Sequence, residues 1–306
     1  MLVDKYNRPL THLRISVTSR CNYMCFFCHR EGEGRSSTEL SVGEIALVCR
    51  VARKLGIRFF KITGGEPLLR KDIEHIVRNI SQLEGAEVSL VTNGYFLKEK
   101  VKSLIEAGLS RANISLHSLN EEVYKAITKV NGLKKVIEGI KNAVDYGLRI
   151  KLNTVILNEL NHEEYVKIID FASNIGADVC FIELIPLGID PREYRKYHVS
   201  LKYIKNYLRK HCVKEYTREL QNRPVYVFPT GIKVELVESY GNPNFCLKCR
   251  KIRLTHDGKL KPCLMRNDNT VSLIHVIKSD MTLREKEKAL ERLFIKANSL
   301  REPFFK

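Results

Sequence analysis

The sequence predicts an α/β protein built around a parallel β-sheet, because short apolar runs alternate with longer amphipathic segments. Between residues 13 and 185 this alternation repeats six times, as in successive βαβ units. Polar, glycine-rich or cysteine-containing segments follow the first four apolar runs. A ligand site is therefore expected beyond the C-terminal ends of the strands, in either an open doubly wound sheet or a curved partial barrel.

The core elements follow from this periodicity. Strands are predicted at residues 13–17, 58–62, 88–91, 113–116, 151–156 and 179–184. Apolar residues recur at helical spacing in the segments between them. Helices are predicted at residues 41–55, 73–83, 98–107, 134–146 and 162–175. Residues 1–186 are thus interpreted as one α/β core.

The alternation stops near Pro186, and residues 187–306 are predicted to form an appended C-terminal module. The segment 191–198 is polar, and a helix is expected near 201–208. Two strand-like runs at 225–228 and 233–237 flank a Pro-Thr-Gly-Ile segment, which indicates a hairpin. An amphipathic helix is expected at about 283–297. No low-complexity linker separates the two parts, so we expect the module to pack on the core.

Composition narrows the class of protein. The chain has 306 residues, of which 44% are hydrophobic and 28% charged, which excludes a fibrous or wholly disordered protein. No apolar run approaches the roughly 18 residues of a membrane span, and no signal peptide is evident, so a cytoplasmic protein outside the membrane is expected. The net charge of +17 predicts a polyanionic partner: nucleic acid, a nucleoside triphosphate or an anionic membrane surface. No basic run interleaved with aromatic residues favours nucleic acid.

Six of the nine cysteines form two groups of three, which argues against a disulfide framework and favours metal ligands. The first triad, Cys21-x3-Cys25-x2-Cys28, follows the first predicted strand. Three thiolates on a four-iron cluster leave one iron open to another ligand. A structural zinc ion would need a fourth donor, and the nearest, His29, is adjacent to Cys28 and poorly spaced for it.

The second triad is Cys246-x2-Cys249-x13-Cys263. It too would leave one iron of a cluster open, but His256 lies between its ligands, so a Cys3His zinc site fits the residues equally. Lys251 and Arg253 are spaced to point to one face of an extended segment, and this face suits an anion. Of the other cysteines, Cys49 and Cys180 lie in apolar patterns and are expected to be buried. Cys212 carries no usable signal.

The first triad and the Gly64-Gly65-Glu66-Pro67 segment resemble the two signature motifs of radical S-adenosylmethionine enzymes. The order of motifs along the chain resembles the GTP 3',8-cyclase family, which starts molybdenum cofactor (molybdopterin) biosynthesis. The matching segments are 13–16, 61–67, 92–95, 115–119, 151–155, 181–184 and both triads. This resemblance covers nearly the whole chain. It implies a partial (β/α)6-type TIM barrel with an appended C-terminal module that carries a second iron-sulfur cluster.

The resemblance also implies the chemistry. Two 4Fe-4S clusters and S-adenosylmethionine are the expected cofactors, and a 5'-deoxyadenosyl radical removes the ribose C3' hydrogen of GTP. Attack of C3' on guanine C8 gives (8S)-3',8-cyclo-7,8-dihydroguanosine 5'-triphosphate. The second cluster is expected to hold guanine. The implied partners are GTP, an electron donor and, in the pathway, cyclic pyranopterin monophosphate synthase, with a homodimer as one candidate assembly.

Site residues carry over by motif position. The implied metal ligands are Cys21, Cys25, Cys28, Cys246, Cys249 and Cys263. The implied S-adenosylmethionine contacts are Phe27 (through its backbone), Gly65, Ser115 and Ile185. The implied GTP contacts are Arg14, Lys61, Val91, Lys151, Lys251 and Arg253, of which Lys251 and Arg253 also lie closest to the chemistry. A triphosphate with about four negative charges requires several converging cations.

The chain departs from the family pattern at three places. Lys251 stands where an arginine is usual, and lysine offers a point charge without a bidentate fork. Val91 replaces a usual threonine, so only a backbone contact carries over. Many members end in two glycines, whereas this chain ends in residues 301–306, Arg-Glu-Pro-Phe-Phe-Lys, so tail contacts do not carry over.

Other functions compete with this interpretation. A radical S-adenosylmethionine enzyme acting on a peptide is one, although such extensions usually contain more than three cysteines. An enzyme or binding protein for RNA is another, motivated by the net charge. A zinc-stabilised binding module would leave the Gly-Gly-Glu-Pro motif unexplained.

Overall fold

The computed structural model describes residues 1–34 and 38–303. Its strands form a single sheet with the order β12-β11-β10-β1-β2-β3-β4-β5-β6-β9-β8-β7. The strands are β1 (His12–Ser16), β2 (Phe59–Thr63), β3 (Glu87–Thr92), β4 (Arg111–Ser115), β5 (Arg149–Ile156), β6 (Asp178–Glu183), β7 (Lys214–Arg218), β8 (Arg223–Val227), β9 (Lys233–Val237), β10 (Lys251–Leu254), β11 (Lys259–Lys261) and β12 (Val271–Ser272).

Helices connect the parallel strands of the core. The helices are α1 (Val42–Lys54), α2 (Ile73–Ser81), α3 (Leu97–Glu106), α4 (Glu121–Thr128), α5 (Leu133–Asp145), α6 (Tyr165–Ile175), α7 (Pro191–Tyr197), α8 (Lys202–His211), α9 (Pro243–Leu247), α10 (Ile274–Ile277) and α11 (Leu283–Ser299). Helix α1 begins with a capping box, in which Ser41 and Glu44 satisfy each other's backbone N–H groups. Its apolar stripe, which includes Ile45, Val48 and Cys49, is buried in the main core.

The strand order separates the two architectures that the sequence left open. Strands β1 to β6 are all parallel and adjacent in chain order. Right-handed crossovers between consecutive neighbours place all connecting helices on one face, whereas a doubly wound sheet reverses its strand order. The barrel-type α/β fold is therefore confirmed.

Strands of the C-terminal region extend this sheet at both ends. Strand β10 pairs in parallel with β1, and β9 pairs in parallel with β6. The predicted boundary between residues 186 and 187 falls between β6 and α7, within the continuous run of the sheet. The division into a core and a module stays a proposal. The pairing of β10 with β1 matters for the site, because it brings the second cysteine triad beside the first strand.

Most predicted elements form within a few residues of their expected bounds. The hairpin is present as the antiparallel pair β8 and β9. The polar segment after residue 190 forms α7, where Asp190 accepts a hydrogen bond from the Arg192 N–H and Pro191 occupies the first turn. Strand β7 lies at the sheet edge and is exposed along most of its length, so it shows no apolar alternation.

Cys49 and Cys180 are buried, as expected, and Cys212 is partly exposed. Residues 304–306 of the tail lie outside the described residues. Within residues 1–34 and 38–303, no helix is both long enough and apolar enough to cross a membrane.

Candidate active site

A cavity of about 360 Å³ lies against one face of the sheet. Alternate residues of neighbouring strands line it, for example Lys151 and Asn153 on β5 and Lys251 and Arg253 on β10. Successive side chains of a strand point to opposite faces. The strands β10, β1 to β6 and β9, which are consecutive in the sheet, therefore present one face to this cavity. The sheet therefore curves around the cavity, and cysteines of both triads, Cys28 and the second triad, reach its wall.

The first triad lies on the loop after β1. The Cys28 N–H donates to the Cys25 carbonyl at 3.1 Å, which folds the loop into a turn. Cys21 and Cys28 are exposed residues and Cys25 is partly exposed, but the surrounding protein partly buries their thiol groups. This burial raises the pKa of Cys21 to about 11 and that of Cys25 to about 12. Bound iron would supply the positive charge that holds these groups as thiolates.

The Gly64-Gly65-Glu66-Pro67 segment packs directly on this loop. The Gly65 N–H donates to the Thr18 carbonyl and the Glu66 N–H to the Arg20 carbonyl, both at 2.7 Å. A Cβ atom on Gly65 would lie 2.1 Å from the Arg20 carbonyl oxygen, so only glycine allows this approach. Gly64 has a φ of +147°, a backbone conformation that residues other than glycine rarely adopt.

Glu66 connects the loops that follow β1, β2 and β3. Its buried carboxyl group accepts hydrogen bonds from the Leu68 N–H, the Asn93 N–H and the Thr92 hydroxyl, at 2.7 to 2.9 Å. Burial raises the pKa of Glu66 to about 7, against the effect of these hydrogen bonds. The segment after β2 therefore holds the first cysteine loop at a defined position above the strand ends.

The donor set fits iron-sulfur clusters better than single metal ions. Among the described residues, no three His, Cys, Asp or Glu side chains lie close enough to hold one metal ion. His256 is buried and its Nδ1 lies 2.7 Å from Glu33 Oε2, while its Nε2 has no hydrogen-bond partner among the described residues. Burial lowers the pKa of His29 to about 4. Its buried Nδ1 has no hydrogen-bond partner in the part of the chain that the structure describes. Three cysteines on one short loop, as in the first triad, suit a cluster that keeps one iron open.

Cationic side chains outnumber carboxylates on the cavity wall. Three of the predicted GTP contacts form a row, because Arg14 on β1 is in register with Lys61 on β2 and with Arg253 on β10. Burial and the neighbouring cations lower the pKa of Lys61 and that of Lys251 well below the usual range. The lining residues include three glutamates and ten cationic side chains, Arg8, Arg14, Lys61, Arg111, Lys151, Arg218, Arg223, Lys251, Arg253 and Arg301. A bound polyanion would relieve the repulsion among them.

Two buried glutamates hold these cations in place. Glu31 accepts from Arg14 at 2.6 Å and from Arg253 at 2.8 Å. Glu235 lies 2.5 Å from Lys151, 2.8 Å from Arg218 and 3.6 Å from Arg223. Burial alone would raise both carboxyl pKa values, but the neighbouring cations lower the pKa of each glutamate to about 2. The carboxylates thus pre-position cations that line the cavity.

These two carboxylates predict acid sensitivity. Their pKa is about 2 in the folded chain and near 4.5 when unfolded, so the unfolded state binds more protons at low pH. The stabilisation is fully present above pH 4.5 and is lost as the pH falls towards 2, on the order of 3 kcal/mol for each group. Urea unfolding at intervals between pH 6 and 3 should show this loss. Glu235→Gln should reduce proton uptake on unfolding at pH 3.5 by about one. If the free energy of unfolding has the same slope against pH in this variant, the lowered pKa of Glu235 is contradicted.

The structure brings most sequence-predicted site residues to the cavity. Lining residues are Phe27, Cys28, Ile185, Arg14, Lys61, Val91, Lys151, Lys251, Arg253, Cys246, Cys249 and Cys263. Cys21 and Cys25 lie on the same loop as Cys28 but outside the cavity lining, Gly65 contacts the loop at residues 18–20, and Ser115 ends β4. The roles of all these residues stay predictions.

Sequence reasoning missed several wall residues. Arg111 and Asn113 alternate with buried apolar residues on β4, which is a signal for a polar inward face that could have been read. Gln221 accepts a hydrogen bond from the Lys251 Nζ at 2.7 Å and has a φ of +63°. Arg8, Arg301, Glu31 and Glu235 gave no local signal, since each is an isolated charge in the sequence.

The fold and the first cysteine loop define a radical S-adenosylmethionine protein, and comparisons with known proteins agree. Residues 15–172 match the radical SAM superfamily, and residues 177–306 match the Molybdenum Cofactor Synthesis C family. Proteins named "Probable GTP 3',8-cyclase" from Saccharolobus solfataricus and Metallosphaera sedula are 45% and 42% identical to this chain. Each alignment covers 100% of this chain, and 99% and 97% of the relatives. The chain therefore belongs to the GTP 3',8-cyclase family.

Solved structures share the fold. Streptococcus suis SuiB bound to S-adenosylmethionine has a TM-score of 0.66 and 18% identity, over 94% of this chain and 68% of that one. The structure of anSMEcpe with bound AdoMet has a TM-score of 0.63 and 19% identity, over 95% and 84%. At this identity the likeness concerns the fold alone. Within the family, the cofactors are S-adenosylmethionine and two 4Fe-4S clusters, and the two triads are the predicted sources of the cysteine ligands.

Proposed function

We propose that this protein converts GTP to (8S)-3',8-cyclo-7,8-dihydroguanosine 5'-triphosphate, the first step of molybdenum cofactor biosynthesis. One observation carries the proposal: cysteines from both triads line a single cavity on whose wall ten cationic side chains outnumber three glutamates. A nucleoside triphosphate supplies the negative charge that this wall lacks. The family membership and the likeness to GTP 3',8-cyclases across the whole chain support the same substrate.

When bound, the first cluster and S-adenosylmethionine supply the radical that removes hydrogen from ribose C3'. The residues of the chain bind and orient both reactants. Arg14, Lys61 and Lys151 are proposed to bind the triphosphate, since they lie on three strands around the cavity. Lys251 and Arg253, on the strand next to the second triad, are proposed to act closest to the reacting atoms. Fixing C3' between the two cysteine groups makes ring closure an intramolecular, oriented step.

The S-adenosylmethionine contacts are proposed on the other side of the cavity. Phe27 and Ile185 line it, and the Phe27 ring packs edge-on against His117 with ring centroids 5.1 Å apart. Gly65 follows β2 and Ser115 ends β4, with β3 between these two parallel strands. Val91 lines the cavity and is proposed to contact GTP through its backbone alone.

Anaerobic turnover tests the function. The reconstituted protein is incubated with reductant, S-adenosylmethionine and GTP, and nucleotides are followed by mass spectrometry and NMR. We expect 5'-deoxyadenosine together with a nucleotide of GTP's mass that carries a C3'–C8 bond. Formation of 5'-deoxyadenosine with unchanged GTP would overturn the substrate, and the same assay with RNA or peptide would then test the alternatives. Absence of iron from both sites would overturn the radical mechanism.

The role of Lys251 is tested by Lys251→Met, which removes the charge with little change of shape. Loss of one buried charge-assisted contact predicts a KM for GTP that rises about ten- to hundredfold. The KM for S-adenosylmethionine should stay the same. The matched control is Lys248→Met, because Lys248 is exposed and lies just before β10. An unchanged KM for GTP in Lys251→Met would contradict the proposed contact.

The remaining partners are also proposals. An electron donor is required because the radical chemistry begins with a one-electron reduction, and the exposed position of Cys21 supports access from solvent. The product's chemistry calls for cyclic pyranopterin monophosphate synthase as the next enzyme. A cytoplasmic location and a homodimer are proposed because the chain belongs to the GTP 3',8-cyclase family.

A further inference from the structure

The segment 246–249, which runs from the end of α9 towards β10, carries two cysteines of the second triad and is here named the second cysteine loop. Residues from both ends of the described chain hold this loop. Arg8 Nη1 donates to the Cys246 carbonyl at 2.9 Å, and Arg301 Nη2 donates to the Cys249 carbonyl at 2.6 Å. The two arginines are 4% and 1% exposed, and both line the active-site cavity. Two guanidinium groups thus bind the backbone of two adjacent cysteine ligands.

Asp4 joins the two arginines into one unit, here named the terminal clamp (Asp4, Arg8 and Arg301). Its Oδ2 lies 2.8 Å from Arg8 Nε and 3.3 Å from Arg301 Nη1, and its side chain is fully buried. Arg301 Nη1 also donates to the Arg8 carbonyl and to Asn298 Oδ1. Residues 4–8 and 298–301 are therefore cross-linked next to the cysteine loop.

The charges of the terminal clamp do not balance. Two guanidinium groups share one carboxylate, which leaves a net positive charge beside the cysteines. Arg8 Nη2 is buried and has no hydrogen-bond partner within residues 1–34 and 38–303. Buried charges without full compensation destabilise a fold, so this arrangement is expected to have a negatively charged counterpart. A cluster ligated by three thiolates is such a counterpart, and its ligands are the residues that the clamp contacts.

We propose that the terminal clamp positions the Cys246–Cys249 segment for the second cluster and that its positive charge favours the cluster's reduced state. Arg8 and Arg301 are positioning residues, since they act through the carbonyls of cysteine ligands. The proposal rests on the assignment of a second cluster to this triad and does not require GTP as the substrate.

The test uses a background in which Cys21, Cys25 and Cys28 are replaced by alanine, so that only the second cluster binds. Its iron content after anaerobic reconstitution should be about four per chain. Adding Arg301→Gln should lower the retained iron at least twofold. The midpoint potential of the remaining cluster, titrated by EPR, should become more negative, because removal of a nearby cation disfavours an added electron.

Two controls separate positioning from general destabilisation. Arg301→Lys keeps the charge but cannot donate in all the directions of a guanidinium group, so the potential should stay near that of the background while iron retention recovers only in part. Lys5→Gln removes an exposed 2.7 Å ion pair to Glu302 between the same chain ends, without touching the cysteine loop, and should change neither quantity.

Unchanged iron content and potential in Arg301→Gln would overturn the proposal. A loss of iron fully accounted for by a lower urea midpoint of the cluster-free chain, with no change in potential, would overturn it as well. GTP is absent from every measurement, so failure here leaves the proposed function standing. Failure to cyclise GTP would likewise leave these measurements interpretable.

Discussion

Cys25→Ala is expected to abolish formation of 5'-deoxyadenosine, with a fall of at least about three powers of ten, or about 4 kcal/mol of barrier. Cys25 lies between the other two cysteines of the first loop, and its carbonyl accepts the Cys28 N–H at 3.1 Å. With two thiolates left, the loop cannot hold three irons of a cubane cluster. Cleavage of S-adenosylmethionine then lacks the cluster that supplies its electron.

The two triads should separate in this assay. Cys263→Ala is expected to retain S-adenosylmethionine cleavage, measured as 5'-deoxyadenosine, but to lose the cyclised nucleotide, because GTP would lack its anchor. Cys212→Ala is the matched control, since Cys212 is remote from both triads in the sequence and does not line the cavity. Retention of substantial cleavage in Cys25→Ala would refute the assignment of the first triad.

Glu31→Gln is expected to destabilise the protein by about 3–5 kcal/mol, the cost of breaking a buried ion pair from one side. Arg14 and Arg253 would both lose the carboxylate that neutralises them, although the side chain keeps its shape. The Thr63 hydroxyl, which donates to Glu31 at 3.0 Å, would also lose its charged acceptor. The urea midpoint of the anaerobically reconstituted protein at pH 7 measures this effect.

Glu219→Gln is the control for this variant. It breaks an exposed ion pair, 2.9 Å between Arg250 and Glu219, and should cost less than about 1 kcal/mol. A triphosphate supplies negative charge to the same arginines, so added GTP should recover part of the stability lost in Glu31→Gln. Equal midpoints for the two variants would show that Glu31 does not hold the arginines.

Local patterns in the sequence predicted the fold class and the candidate cluster ligands. The six core strands were predictable because their side chains pack on the helices at fixed spacing, and spacing is visible within ten residues. The first cysteine triad was recognisable for the same reason, since its three thiols lie on one short loop, whereas β10 and β11 separate Cys249 from Cys263 in the second triad. The assignment of both triads as cluster ligands stays a prediction. Helix α7 was missed because no side chain in it is buried, so it carries no apolar stripe.

Charges behaved differently, because the chemical role of a cation depends on its neighbours. Lys151 could be placed at the site only by resemblance, and its partner Glu235 lies 84 positions away on a strand beyond β6. Arg8 and Arg301 were indistinguishable from surface cations, yet they meet at the second cysteine loop.

The sequence alone determined the α/β class and the family resemblance, because both rest on short local motifs in a fixed order along the chain. Only the tertiary structure decided which cations face the cavity and which carboxylates hold them. The parallel register aligns Arg253, Arg14 and Lys61 across three strands that are far apart in sequence. Electrostatic interactions depend on distance in space and on burial, and neither quantity can be read from positions along the chain.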